Sequence, residues 1–233
     1  MSKQGNKSNP YSIKFVFDLD MTLYGKGDFK DVANKKLYYD SFKPKYFLHS
    51  ILSMSPYQKC ILTNGTKDHA TEVVRRIGLS QVFPKNAVFS IDMAPSRVMK
   101  PDHLMYHLAT KHFDIQPSDT VFYFEDLKEN LQPVKLLYSN WKTIWICPEK
   151  DSIRSIPSYV DMTFVTIESA LLHIYSILRT NKRTMTVPIV PIPSDTMPTI
   201  SRITRVSTPP TRTPSAPTKT SKDADETKKS LKK

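Results

Sequence analysis

Three apolar stretches stand out along the chain, and each runs abruptly into polar residues. Phe15-Val16-Phe17 leads into Asp18-Leu19-Asp20-Met21-Thr22, Cys60-Ile61-Leu62 into Thr63-Asn64-Gly65, and Val121-Phe122-Tyr123-Phe124 into Glu125-Asp126. A short continuous apolar run reads as a strand covered on both faces, the pattern of a parallel sheet. Between these runs the period lengthens. Phe47, Leu48, Ile51 and Leu52 recur at helical spacing, as do Ala70, Val73, Val74 and Ile77. Pro44 suits the first turn of the former helix, and Gly78 closes the latter. The pattern predicts strands at 13–18, 59–63, 87–90, 120–124 and 143–147, with an edge strand at 162–165. It predicts helices at 44–54, 67–77, 102–112, 128–138 and 167–178, and a short one at 31–39. Strands alternating with helices imply a three-layer α/β domain around a parallel sheet.

The polar strand ends carry the chemistry. Charged residues there are costly to bury unless a cation or ligand meets them, and open α/β sheets bind ligands at that end. Asp18 and Asp20, two residues apart, can converge on one hard cation. Mg²⁺ suits one or two carboxylates completed by water and substrate phosphate. A carboxylate beside it can attack phosphorus to give an aspartyl-phosphate, while a second protonates the leaving oxygen and then activates water. Taken alone, Asp18-Leu19-Asp20 also fits a solvated turn. Three other segments weigh against that. Thr63 and Asn64 can bind phosphate oxygens, Lys100 before Pro101 can offset negative charge, and Glu125 or Asp126 can complete a metal site, with Asn130 behind them.

Asp-x-Asp-x-Thr, Thr-Asn-Gly, Lys-Pro and Glu-Asp, in this order and at strand ends, resemble the four motifs of the haloacid dehalogenase (HAD) superfamily. The resemblance covers roughly Ser12 to Tyr175 and is closest to the pyrimidine 5'-nucleotidase-like branch, through Leu62–Ala70, Arg75–Leu79, Phe83, Lys100–His103 and Phe122–Leu131. It implies a Rossmann-like HAD core. It also implies Asp18 as nucleophile and Mg²⁺ ligand, and Asp20 as general acid/base with its backbone carbonyl on the metal. Thr63 and Asn64 would hold the phosphoryl group and Lys100 would bridge it to the nucleophile. Asp126 would be a metal ligand, Glu125 a direct or water-mediated one, and Thr22 would orient the loop. Dehalogenases of the superfamily lack the second carboxylate of the first motif and do not need Mg²⁺, so that activity is not expected here. Only about Gly25–Ser41 separates the first motif from the core, room for a short flap where the nucleotidase branch inserts a helical cap. The site is therefore expected to be open, with Tyr24 at its mouth and Tyr38, Tyr39 and Trp141 as packing residues.

Charge divides the chain unevenly. Its net charge is +12, yet residues 1–178 carry 22 basic and 18 acidic side chains, against 12 and 4 in residues 179–233. The tail is rich in Pro, Thr, Ser and Lys with no aromatic residue, a composition that cannot offset its ordering entropy. The expected organisation is a flexible N-terminus over 1–11, a catalytic domain over 12–178 with the flap at 25–41, and a disordered basic tail over 179–233. Thr208-Pro209 and Thr213-Pro214 have the form of proline-directed phosphorylation sites. Val187–Pro193 has that of an extended docking peptide, and Lys228–Lys233 that of a nuclear address or a weak nucleic-acid or protein contact. No secretory leader pattern follows Met1 and no apolar run reaches membrane-spanning length, so a cytoplasmic or nuclear setting without membrane contact is expected. Cys60 and Cys147 read as buried free thiols, and His103 and His107 as surface residues.

The expected function is a Mg²⁺-dependent phosphomonoester hydrolase acting through an aspartyl-phosphate. Nucleoside monophosphates or similar small phosphates fit the sequence likeness. A phosphoprotein or nucleic-acid end fits the open site and basic tail. A non-enzymatic binding protein on the same scaffold is the alternative of a different kind.

Overall fold

The computed structural model describes residues 12–30, 33–147 and 156–186. Its elements in chain order are β1 (Ile13–Phe17), α1 (Lys35–Asp40), α2 (Tyr46–Ser53), β2 (Gln58–Leu62), α3 (Lys67–Arg76), β3 (Val88–Phe89), α4 (His103–His112), β4 (Thr120–Glu125), α5 (Lys128–Leu137), β5 (Lys142–Ile146), β6 (Met162–Phe164) and α6 (Ile167–Thr186). The six strands form one parallel sheet in the order β3-β2-β1-β4-β5-β6. The predicted three-layer α/β architecture is thus observed.

Alternation along β1 explains the layering. Phe15 and Phe17 point to one face, where they pack with Leu48 and Ile51 of α2, Val73 of α3 and Ile174 of α6. Val16 points to the other, with Met105 and Tyr106 of α4 and Leu131 and Val134 of α5. Both faces are therefore covered by helices, which is why β1 and β4 read as unbroken apolar runs. Phe17 stacks on Phe124 at 4.7 Å between ring centroids, locking the last residue pair of β1 and β4.

Helix ends follow local chemistry. Thr66 caps α3 by accepting from the His69 N–H, and Asp102 caps α4 by accepting from the Leu104 N–H. Gly78 has φ +78° just past α3, the left-handed position that favours glycine. Two expectations need correction. Phe47 does not join the inner face of α2; it is 62% exposed. Helix α6 continues to Thr186, so the boundary placed at Arg179 falls inside a helix. The short helix expected at 31–39 lies at 35–40. The expected flexible N-terminus, the tail beyond Thr186, the phosphorylation motifs, the docking peptide and the basic address lie outside the described residues. Both cysteines are buried, and His103 and His107 are exposed. Among the described residues no helix is long and apolar enough to cross a membrane.

Candidate active site

Strand order fixes where the site lies. From β1 the chain steps outward to β2 and β3, and β4 returns on the other side of β1. Such a switch point opens a crevice at the carboxyl ends of the two central strands. Asp18 follows β1 directly, and its N–H donates to the Phe124 carbonyl at 2.9 Å. Phe17 pairs with Phe124, so Glu125 ends β4 beside Asp18.

Lys100 plugs this crevice. It arrives on the long connection after β3, and its ammonium donates to Asp18 Oδ1 at 2.6 Å, Glu125 Oε2 at 2.8 Å and the Leu62 carbonyl at 3.0 Å. All three side chains are nearly inaccessible: Lys100 is 4%, Asp18 5% and Glu125 1% exposed. Glu125 is held further by the Tyr123 hydroxyl at 2.7 Å and the Leu127 N–H at 3.3 Å. The Lys100-Pro101 peptide is cis. Asn64 braces the lysine's backbone from both sides, accepting from its N–H at 2.8 Å and donating to its carbonyl at 3.1 Å. The amide expected to meet phosphate is therefore engaged in placing Lys100.

A third acid, Asp126, joins the group, its carbonyl fixed by the Trp145 indole N–H at 2.8 Å. Asp18, Glu125 and Asp126 each offer a carboxylate oxygen within 4.8 Å of the others. One lysine cannot balance three carboxylates. Burial, then the charge of Glu125, pushes the Asp18 carboxyl well above its ordinary value. The same two causes push Asp126 up to about 7. In Glu125 burial acts upward too, but Lys100 together with the hydrogen bonds of Tyr123 and Asn130 outweighs it and the carboxyl is lowered. Asp18 Oδ2 is buried with no hydrogen-bond partner among the described residues. A hard divalent cation fits this donor set: all-oxygen ligands, excess negative charge and one orphaned carboxylate oxygen.

Asp20 occupies a different environment. The loop after β1 turns through Met21, at φ 63°, a left-handed conformation uncommon for a bulky residue. Beyond it Tyr24 is buried and its hydroxyl donates to Asp20 Oδ1. His69 Nε2 lies 2.7 Å from the same oxygen, and a carboxylate can only accept, so Nε2 carries the hydrogen. His69 Nδ1 in turn bonds the Tyr39 hydroxyl at 2.9 Å. Thr63 Oγ1 donates to Asp20 Oδ2 at 3.4 Å and accepts the Gly65 N–H at 2.9 Å. Burial raises the Asp20 carboxyl, but the hydrogen bond and charge of His69, with Tyr24, more than offset it, leaving it below its ordinary value. Gly65 makes this approach possible: a Cβ there would stand 2.9 Å from His69 Cδ2 and 3.2 Å from Thr63 Oγ1.

Every expected site residue thus gathers at one end of the sheet: Asp18, Asp20, Thr63, Asn64, Lys100, Glu125 and Asp126. Thr22 Oγ1, expected to orient the loop, is buried without a hydrogen-bond partner among the described residues. His69 and Tyr39 were not read as functional, Tyr39 being assigned to packing. The available signal was positional, since a helix that starts after β2 must put its first turn at the crevice mouth. The flap is a knot of aromatic rings. Tyr24, Phe29, Tyr38 and Phe42 pack at 5.0–5.7 Å, mostly edge to face, with Phe29 stacked on Phe42. It leans on α3 through Tyr39 and through Asp40, which pairs with Arg76 at 2.6 Å. A separate cavity of about 640 Å³ lies away from the carboxylates, between Met54–Tyr57 and the Leu172–Thr180 part of α6.

No protein-family model and no curated protein matches the sequence. Solved structures do match the fold. The L-2-haloacid dehalogenase of Xanthobacter autotrophicus superposes with a TM-score of 0.52 and 14% identity over 70% of this chain and 98% of its own. One of its two structures carries covalently bound chloropropionic acid. Another L-2-haloacid dehalogenase superposes with a TM-score of 0.50, at 14% identity over 70% of this chain and 99% of its own.

Proposed function

On a chain with the haloacid dehalogenase fold, we propose that the crevice catalyses Mg²⁺-dependent phosphomonoester hydrolysis through an aspartyl-phosphate on Asp18. One observation carries the reading: a second carboxylate, Asp20, stands at the mouth in its own hydrogen-bond network, apart from the lysine-bound cluster. Transfer to an aspartate and release from it need one group that gives a proton and later takes one. Asp18, Asp126 and the Asp20 carbonyl would hold the cation, with Glu125 acting directly or through water. When bound, Mg²⁺ supplies charge neutralisation in the pit and polarises the phosphoryl oxygens.

The chain's own groups divide the work. Lys100 keeps Asp18 oriented and adds positive charge where phosphoryl oxygens gather. Thr63, whose hydroxyl reaches Asp20, would with nearby backbone N–H groups hold the phosphoryl oxygens. Asp20, supported by His69, delivers a proton to the departing oxygen; ionised again, it draws the proton from the attacking water. With only the six-residue helix α1 in the flap, the phosphate's carrier is left open to solvent. The sequence likeness favours a nucleotide as the phosphate's carrier.

Turnover of p-nitrophenyl phosphate with Mg²⁺ should be abolished in Asp18→Asn, and nucleoside monophosphates should compete. Hydrolysis unaffected by that substitution would reject Asp18 as nucleophile, and absence of any turnover would favour a binding protein on this scaffold.

A further inference from the structure

The flap carries a feature that the reaction itself does not use. Lys26, Lys30, Lys35, Lys36 and Lys43 are all exposed, and among the described residues none forms an ion pair. Among the described residues the flap's two acids are already engaged: Asp28 pairs with Lys45 at 3.2 Å and Asp40 with Arg76. Immediately after these lysines, Tyr46 and Phe47 stand 77% and 62% exposed on the first turn of α2, while Leu48, Ile51 and Leu52 fill its inner face. Two adjacent aromatic side chains left in water forgo the stabilisation that burial would bring.

Resting on the phosphomonoesterase reading, we propose that the flap and the start of α2 dock a single-stranded nucleic acid whose terminal phosphate enters the crevice. Lysines along a path track a phosphate backbone, and exposed aromatic rings give unpaired bases a stacking platform without sequence preference. The surface is physically joined to the chemistry. Tyr24 and Tyr39 tie the flap to Asp20 and His69. Lys45 ties it to α2 through Asp28, and to α6 through Glu168 at 3.3 Å. The flap's helix α1 has only six residues, so the strand beyond its terminal nucleotide is not blocked by a cap. A duplex would hide its base faces from Tyr46 and Phe47. An acidic phosphopeptide would use the lysines but leave both rings idle.

The test uses the full chain. Binding of 5'- and 3'-phosphorylated single strands of increasing length is followed by fluorescence anisotropy with Asp18→Asn protein. Hydrolysis by wild type is compared with that of p-nitrophenyl phosphate. Two variants accompany it: Lys26, Lys30, Lys35 and Lys36 all changed to Gln, and Tyr46→Ala with Phe47→Ala. Affinity should rise with strand length. The lysine variant should shallow the slope of log affinity against log salt by about 3, the share of four charges on a single strand. The tail's charges are the same in both proteins, so the difference belongs to the flap. Loss of both rings should weaken strand binding about tenfold or more. Either variant should lower strand hydrolysis far more than p-nitrophenyl phosphate hydrolysis. Equal affinity for mononucleotide and long strand, unchanged binding in both variants, or a preference for phosphopeptides would each overturn the docking surface and leave the phosphatase intact. Length-dependent strand binding without Asp18-dependent hydrolysis of anything would reject the phosphatase and keep the surface.

Discussion

His69 is the residue on which Asp20 depends most. It shares an oxygen of that carboxylate with Tyr24 and is itself held by Tyr39. Removing the imidazole frees Asp20 to turn away, and a small misplacement of a reacting group is expensive. His69→Ala should therefore lower kcat about 10–100-fold with little change in KM. His69→Gln, which keeps an N–H donor, should recover part of it, and steady-state kinetics on the two variants separates this role from simple packing. Gly65→Ala should mimic the loss, because its Cβ would crowd His69 at 2.9 Å; circular dichroism should show the fold intact. Asp18, Asp20, Glu125 and Asp126 were readable in the sequence because charge at or just past the end of a buried strand is too costly to stand there unless something binds it; Lys100, on a connection, was readable only from its place in the order of motifs that the chain resembles. The His69 contact was not, since it joins residues 49 apart whose proximity only the folded loop creates. Asn64 was found but with another task, because sequence shows a donor and not where it points.

Among the elements, β1 matters most, since the sheet and the site both depend on it. Phe17 is fully buried against Phe124 and Phe83. Phe17→Ala should cost about 3–5 kcal/mol of stability in denaturant melts. The opposite end of β1 is pinned by Asp119, which accepts from Ser12 and from the Gln116 N–H at 2.8 Å and pairs with Lys14 at 3.1 Å. Burial pushes the Asp119 carboxyl up, but these donors outweigh it and hold it below its ordinary value. Its contribution is then complete above the unfolded pKa of about 3.9 and is lost as pH falls through the lower folded value. Urea melts from pH 6 to 2 should show Asp119→Asn less stable than wild type at pH 6 and the gap closing toward pH 2. Strands and helices were legible to within a few residues wherever apolar spacing was regular. The end of α6 was not. After Leu178 the sequence is polar, yet a helix already started by packing extends through polar residues at little cost. Phe47 misled for the converse reason: its spacing fitted the inner face, but that face was already filled.

For the whole molecule, the three clustered carboxylates, Asp18 and Glu125 buried and Asp126 half-buried, would link stability to the proposed cation. Mg²⁺ bound only by the folded protein should raise the thermal midpoint by several degrees at concentrations near a hundred times Kd, where the gain is about 2.7 kcal/mol. In Asp18→Asn with Asp126→Asn the midpoint should no longer respond to Mg²⁺; a shift of equal size in that variant would place the cation elsewhere. Parallel α/β architecture was legible because helix and strand periods alternate. The strand order was not, because no residue pattern states which neighbour a strand chooses.

That order has a consequence for the chain as it is made. Asp18 belongs to a half-sheet complete once β3 has emerged, and Lys100 follows soon after, whereas Glu125 and Asp126 arrive only with β4. A nascent or truncated chain holding the first half alone has the proposed nucleophile and its lysine but not the acids that would gather the cation. For the proposed reaction, chemical competence would then come in a single late step, the docking of β4 along β1, and fragments that stop short of it should be inert.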